Sequence, residues 1–299
     1  MASAHSDPAA SSASSQSAEL ASASPASTAP SPAAAHGGGT TTIPAHNLHS
    51  RSYSTGRLWW EIALVLLVSF GRSGLRAIFQ LVDALLATSN LNEQATVLYS
   101  QQSQSSWLDI ALQLCSALTL CAWGGLAAYL LWASHNWSWP TWRALFRGRS
   151  WAQGAGLAAL IGLPGLGLYI LALQMGWTKY VIPASFEQAW WELPVLWVHS
   201  FANAFAEEMI VVAFLVTRLR QLDKSWALAI GASALLRASY HLYQGVSAGF
   251  GNLLMGLIFA AFYAKTGKVW PLIIAHFLID AVAFSGYALG ASSWGFIRS

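Results

Sequence analysis

The composition of this chain of 299 residues indicates a membrane protein. Apolar residues make up 55% of the sequence and charged residues only 9%, whereas charged residues form about a quarter of an ordinary soluble domain. The net charge is +3, but the basic residues stand singly or in twos and threes between apolar stretches, as membrane-flanking residues do. Nucleic-acid binding is therefore excluded, and the lipid bilayer is the first partner to expect.

Residues 1–56 are predicted to form a disordered, cytosolic tail. Ala, Ser, Pro and Gly dominate this segment, and its charged residues are Asp7, Glu19 and Arg51. Such a composition leaves almost nothing to bury in a core. The tail does not open with a basic start followed by an apolar stretch, so a cleaved signal peptide is not expected.

Apolar stretches of about the length of a bilayer crossing follow the tail. Residues 58–87 contain Arg72 and Arg76 and are predicted to form one long, kinked span, with two separate helices as the alternative, and residues 88–106 form a polar loop. Further spans are predicted at 107–132, 152–175, 190–216, 226–243, 249–264 and 269–289. The predicted fold class is all-α, a polytopic transmembrane bundle of about seven helices, with N-terminal helices at 57–189 and a transmembrane core at 190–290.

The basic residues of the loops predict the orientation of the bundle. They cluster in three alternate loops, at Arg143, Arg147 and Arg149, at Arg218, Arg220 and Lys224, and at Lys265 and Lys268. The intervening loops hold little beyond Lys179. Because cytosolic loops carry the excess of Lys and Arg, the sequence predicts an integral protein of the cell membrane with a cytosolic N-terminus.

Six ionisable residues lie inside the later spans: Glu207, Glu208, Arg237, His241, His276 and Asp280. Each such group costs roughly 2.5–3.5 kcal/mol to insert into the bilayer without a partner. We therefore expect these side chains to face one another. Asp109, near the start of a span, has the simpler explanation of a side chain that snorkels to the interface.

Spacing assigns several of these residues to common helix faces. His276 and Asp280 are four residues apart, as are Arg237 and His241, and Asn203 and Glu207, so each pair shares one face of a helix. Other polar residues nearby have ordinary structural explanations. His199 is typical of a packed histidine, and Tyr240, Tyr243 and Gln244 either line the opening of the site or anchor the helix at the interface.

A cluster of Glu, His and His supports two kinds of hydrolysis. In the first, a carboxylate acts as general base on water, a histidine shares the proton and polar side chains receive the oxyanion. In the second, the three residues ligate a zinc ion that activates the water. The sequence contains no helix with an HExxH pattern at this site, so zinc is the second choice and no cofactor is predicted.

The order and spacing of three motifs resemble those of the CPBP family, the CAAX prenyl protease and bacteriocin-processing group of intramembrane endopeptidases. The motifs are Glu207-Glu208, the histidine at 241 within Arg237-Ala-Ser-Tyr-His241, and His276-x-x-x-Asp280. The surrounding segments look like those of a bacterial branch of this family. The resemblance covers about residues 190–290.

The resemblance implies a role for each of these residues. The family pattern is EExxxR, FxxxH and HxxxN or HxxxD. By that correspondence, Glu207 would be the catalytic base, His241 its partner on the attacking water, and His276 with Asp280 the groups at the oxyanion. Glu208 would be the structural carboxylate.

The chain departs from the family pattern at two positions. The arginine expected four residues after Glu208 is Val212, and the phenylalanine expected four residues before His241 is Arg237. We expect Arg237 to replace the missing arginine and pair with Glu208, since each would otherwise be a lone buried charge; the alternative is that Arg237 snorkels or binds a lipid phosphate.

The acid at position 280 raises a separate question about the oxyanion. An ionised Asp280 cannot donate a hydrogen bond to an oxyanion, so it would have to be protonated or to orient His276 instead. Asn252, near the start of the sixth span, is then a candidate donor.

Three functions from different classes are compatible with the sequence. The first is an intramembrane endopeptidase that cuts near the C-terminus of a membrane-associated peptide or protein. The second is a non-catalytic scaffold or immunity-type relative of the same fold. This alternative remains because Val212 replaces the arginine of the family pattern and because an ionised Asp280 cannot donate to an oxyanion. The third is a proton-coupled transporter, which the lack of an inverted repeat disfavours.

Overall fold

The computed structural model describes residues 53–134, 142–184 and 191–288. All of them belong to one compact unit, Ile43–Ser299. The predicted disordered tail lies outside the described residues except at its end, where the first helix already begins at Thr55.

Nine helices make up most of the described chain, and they confirm the all-α, polytopic prediction. They are α1 Thr55–Val68, α2 Phe70–Leu86, α3 Ser106–Ala133, α4 Gly148–Gln174, α5 Glu192–Glu207, α6 Leu215–Gln221, α7 Trp226–His241, α8 Val246–Thr266 and α9 Trp270–Ala288. A π-helical segment, Glu208–Phe214, joins α5 and α6 into one continuous helix, Glu192–Gln221.

The number of spans depends on how two of these helices are counted. Five helices of the described chain are long and apolar enough to cross a membrane, and the bent pair α1–α2 makes a sixth. Helix α7 has 16 residues, fewer than the ~20 that a full crossing requires. With α7 counted as well, the described chain has the seven helical elements that the sequence predicts, but at most six of them are long and apolar enough to cross a membrane.

The first predicted span is broken at Ser69. Helices α1 and α2 meet there at an angle of 50°, and the Ser69 hydroxyl donates a hydrogen bond to the carbonyl of Val65 at 2.5 Å. Ser and Thr side chains that bond one turn back tend to bend helices. The structure thus combines the two sequence interpretations, a kinked span and a pair of helices.

The segment predicted as a polar loop, 88–106, contains a strand that the all-α prediction omitted. Strand β1, Ala95–Tyr99, pairs in parallel with β2, Tyr180–Ala184. Asp109 is not a snorkelling residue, because it is fully buried and its Oδ1 accepts hydrogen bonds from the backbone N–H groups of Gln102 at 2.7 Å and Ser103 at 3.2 Å. This carboxylate fixes the turn that leads from β1 into α3.

One end of the bundle, which we term the basic end, gathers the predicted basic loops. Arg218 donates to the carbonyl of Leu130 at 2.8 Å and forms an ion pair with Glu61 at 2.7 Å, which joins α6 to α3 and α1. At Gly154 an added Cβ would lie 2.5 Å from Ile274 Cγ2, so α4 and α9 also meet near their first residues. The three basic loops therefore lie at the same end.

The opposite end, which we term the sheet end, contains β1, β2 and the ends of α2, α4 and α7. The backbone N–H of Lys179 donates to the carbonyl of Gln244 at 2.9 Å, and the Gln94 side chain donates to the carbonyl of Ala84 at 2.9 Å. These bonds tie the segments before both strands to the neighbouring helix ends.

The continuous helix Glu192–Gln221 forms the centre of the bundle. Its residues from Met209 to Phe214 are at most 1% exposed. Helix α8 packs closely on α7 because Gly256 faces Ala234, where a Cβ would lie 2.7 Å from the Ala234 Cα. Small residues permit such close helix crossings in membranes, and this crossing places Arg237 of α7 against the central helix.

Candidate active site

The site lies where the central helix meets α7 and α9, and the central helix changes its geometry there. The π-helical segment begins at Glu208, directly after Glu207. At its end the N–H of Leu215 donates to the carbonyl of Ile210, five residues earlier, and the Ser233 hydroxyl of α7 donates to the carbonyl of Val211 at 2.7 Å. π-Helical turns occur frequently at functional sites.

Arg237 holds both glutamates with its forked guanidinium. Nη2 bonds to Glu208 Oε1 at 2.5 Å, which is the predicted ion pair, and Nη1 bonds to Glu207 Oε2 at 3.0 Å. Arg237 and Glu208 are fully buried, and Glu207 is 2% exposed. The Phe259 ring of α8 lies under the guanidinium, 5.6 Å from its carbon. The carboxylates of these two adjacent residues therefore meet at one cation.

Glu207 accepts two further hydrogen bonds. Asn203 Nδ2 donates to Oε1 at 3.0 Å, as the four-residue spacing predicts, and the Tyr240 hydroxyl donates to Oε2 at 2.7 Å. Three donors thus favour the ionised form of Glu207. The sequence analysis placed Tyr240 at the opening of the site or at the interface and did not predict its bond to Glu207, although its position three residues after Arg237 puts it on the same helix face.

His276 connects the second glutamate to Asp280. Its Nδ1 lies 2.8 Å from Glu208 Oε1, and because an ionised carboxylate can only accept, Nδ1 carries a proton. Nε2 lies 3.6 Å from Asp280 Oδ2, beyond the usual length of a hydrogen bond. Nε2 is therefore available to a substrate atom, with Asp280 beside it.

The tautomer of His241 follows from its backbone contact. Nδ1 lies 3.0 Å from the carbonyl oxygen of Arg237, which can only accept, so Nδ1 is the protonated nitrogen. In the neutral ring Nε2 is then a hydrogen-bond acceptor. Within the described residues His241 makes no direct hydrogen bond to Glu207, and a water molecule would be needed to join them.

Asn252 is not hydrogen-bonded to the cluster in the described part of the chain. Its Nδ2 donates to the carbonyl of Ala248, one turn earlier on α8, at 3.1 Å. This local bond uses one of the two amide hydrogens of Asn252. No contact in the described part of the chain supports its predicted role as an oxyanion donor.

Glu207, Glu208 and His276 could supply three ligand atoms to a metal ion, since these atoms lie within 4.8 Å of one another. A catalytic zinc ion commonly has three protein ligands of these types. Arg237, however, bonds to both carboxylates, and His276 Nδ1 bonds to Glu208. A divalent cation bound there would face the guanidinium directly, so the residues do not fit a metal ion while Arg237 holds the glutamates.

The fold and the cluster together define a class: a polytopic membrane protein with a buried cluster of carboxylates, an arginine and histidines. Residues 189–282 match the family model described as type II CAAX prenyl endopeptidase Rce1-like. The match confirms the family resemblance that the three motifs predict, and it supports a CAAX-type intramembrane endopeptidase in general. No curated protein and no solved structure matches the chain significantly.

Proposed function

We propose that this protein is an intramembrane endopeptidase that hydrolyses a peptide bond near the C-terminus of a membrane-associated peptide or protein. The observation that carries the proposal is the buried cluster of Glu207, Glu208, Arg237 and His276. It lies within the segment that matches the endopeptidase family. A purely structural bundle would have little reason to retain so many ionisable groups at this depth.

Glu207 is the general base in this proposal. It takes a proton from a water molecule that also donates a hydrogen bond to Nε2 of His241, and the resulting hydroxide attacks the carbonyl carbon of the substrate. When the tetrahedral intermediate collapses, the C–N bond breaks and protonated Glu207 returns its proton to the leaving amine. The new carboxylic acid then passes its remaining proton to the amine, so the products are a carboxylate and an ammonium group, and the enzyme regains its initial charge.

His276 stabilises the oxyanion in the same proposal. With Nδ1–H bonded to Glu208, a second proton on Nε2 makes His276 a cation that can donate to the oxyanion. Glu208 and Asp280 flank the ring and favour that charged form. Asp280 then orients His276 and need not donate a hydrogen bond itself.

Arg237 supports the base without contacting the substrate. Its charge offsets the repulsion between Glu207 and Glu208, and its backbone carbonyl fixes the proton of His241 on Nδ1. Arg237 thereby positions both Glu207, which would deprotonate the water, and His241, which would accept a hydrogen bond from it. This arrangement favours the peptidase over the non-catalytic scaffold, because Arg237 supplies the cation that Val212 does not.

The proposal is tested with the purified full chain in detergent and a library of fluorogenic peptides, with and without a lipid group. Wild type, Glu207→Gln and His241→Ala are compared, each with and without a zinc chelator. Cleavage that is lost in both variants and survives the chelator is the expected result. Loss of cleavage on chelation would indicate a zinc-dependent mechanism. If the wild-type protein cleaves no peptide, the result would favour the non-catalytic scaffold.

A further inference from the structure

A second polar feature lies at the sheet end of the bundle, between β1, α3 and α5. It is a groove of about 470 Å³, which we term the polar groove. Its polar lining comprises Tyr99, Gln102, Gln113, Ser116, Thr119 and His199. All of these except His199 lie outside residues 189–282, so the groove is built mainly by the part of the chain that the family model does not cover.

His199 presents an acceptor atom that lacks a partner. The Gln113 amide donates through Nε2 to the carbonyl of Ser100 at 3.0 Å, so its Oε1, 3.1 Å from His199 Nε2, must accept a proton from that nitrogen. Nδ1 of the neutral ring is then an acceptor. It is buried and has no hydrogen-bond partner among the described residues. The ring itself is held against Tyr99, with 4.3 Å between the centroids.

The groove is aligned with the proposed base. His199, Asn203 and Glu207 follow one another at intervals of four residues and share one face of α5. At ~1.5 Å of rise per residue, His199 lies about 12 Å along the helix from Glu207. An extended polypeptide covers that distance in three to four residues, at roughly 3.3–3.6 Å each.

The chemistry of the groove fits a peptide backbone. Ser116 and Thr119 belong to a membrane-spanning helix, where their hydroxyls donate to carbonyls one turn earlier, at 3.1 Å and 3.0 Å. Their oxygens can still accept a hydrogen bond from a peptide N–H. Hydroxyl and amide side chains can match both the N–H and the C=O groups of a peptide. None of the residues that line the groove, all of them described, is Lys, Arg, Asp or Glu, so no cation is present to bind a terminal carboxylate.

We propose that the polar groove binds an extended, uncharged segment of the substrate, three to four residues from the scissile bond, with His199 Nδ1 accepting a backbone N–H. This inference rests on the proposed endopeptidase function. It assigns His199 a positioning role in place of the purely packed one that the sequence predicts. It also means that the substrate continues as a chain through the groove and does not end there.

Photo-crosslinking tests the groove independently of catalysis. The full chain carries the Glu207→Gln substitution so that it does not cleave the probe. The photo-crosslinker p-benzoylphenylalanine replaces either Thr119, which lines the groove, or its neighbour Leu118. Leu118 also belongs to α3, and its side chain is 68% exposed. The probe is a pool of fluorescein-labelled, uncharged decapeptides, made both as free acids and as C-terminal amides. We expect crosslinking from Thr119 to exceed that from Leu118, equally for acids and amides. Equal crosslinking at the two positions, or crosslinking of acids alone, would overturn the proposal.

Groove-filling variants separate this inference from the proposed function. For any library peptide that wild type cleaves, Thr119→Trp should raise KM about tenfold with kcat unchanged, which is the signature of lost substrate binding. Leu118→Trp should change neither constant. If Thr119→Trp leaves cleavage unaffected, the groove does not bind the substrate, although the proposed peptidase activity still stands. Selective crosslinking at Thr119 in a protein that cleaves nothing would support the groove and contradict the peptidase.

Discussion

Replacement of Arg237 by alanine tests whether one guanidinium neutralises the two buried glutamates. The side chain is fully buried and bonds to Glu207 at 3.0 Å and to Glu208 at 2.5 Å. Removing one partner of a buried ion pair costs about 3–5 kcal/mol, because the remaining charge is left uncompensated. We expect Arg237→Ala to lower the free energy of unfolding by that amount.

The coupling to Glu208 is measured with a double-mutant cycle in detergent. In a Glu208→Gln background only Glu207 loses its charged partner, so we expect the cost of Arg237→Ala to fall by about 1–3 kcal/mol. The free energies of unfolding of the four proteins are obtained from denaturant titrations followed by tryptophan fluorescence. If Arg237→Ala costs the same in both backgrounds, the two residues do not interact and the account of the cluster is wrong.

Arg218 provides a matched control for the cycle. It is also buried, at 1% exposed, and forms an ion pair with Glu61 at 2.7 Å. Arg218 lies ten residues after Glu208 on the central helix, which is about 15 Å further along the helix axis. Arg218→Ala should destabilise the protein to a similar degree but should show no coupling to Glu208→Gln. Coupling in this control would mean that the cycle reports general destabilisation.

Three further predictions concern the roles of single residues in peptide cleavage. Val212→Arg combined with Arg237→Phe restores the family pattern and should recover part of the activity that Arg237→Phe alone removes; no recovery would show that the position of the cation matters as well as its charge. Asp280→Asn should keep cleavage rates within about fivefold of wild type, because Glu208, at 2.8 Å, still favours the charged form of His276 and asparagine can also orient the ring; a loss as large as that of Asp280→Ala would show that the carboxylate of Asp280 is needed. His241→Ala should lower kcat by about 10²–10⁴-fold, the range of a side chain that takes part in general acid–base catalysis, because the water loses the acceptor that orients it toward Glu207; an unchanged kcat would exclude His241 from the mechanism.

The composition of the site could be predicted because charge inside a membrane is costly. Six ionisable groups in late spans had to face one another, and the pairing of Arg237 with Glu208 followed because Val212 stands where the family pattern has an arginine and each group would otherwise be a lone buried charge. The contact between Asn203 and Glu207 followed from helical spacing alone. These predictions depend on energies and periodicity that a single sequence displays directly.

Features that depend on contacts between distant segments could not be predicted. Strand β1 has five residues, and its partner β2 lies some 80 positions later, so no local pattern marks the pair. The π-helical segment Glu208–Phe214 has the same apolar sequence character as an α-helix. The bond from Tyr240 to Glu207 depends on the crossing of α7 over the central helix, although Tyr240 shares a face with Arg237.

The most direct test of the central claim is peptide cleavage in H₂¹⁸O, analysed by mass spectrometry after a single turnover. The account predicts that wild type places one solvent ¹⁸O in the new carboxyl group, because Glu207 activates water and does not attack the substrate itself. Glu207→Gln should release no product while still binding the peptide. Product without solvent ¹⁸O, or equal cleavage by wild type and Glu207→Gln, would contradict the assignment of Glu207 as the general base.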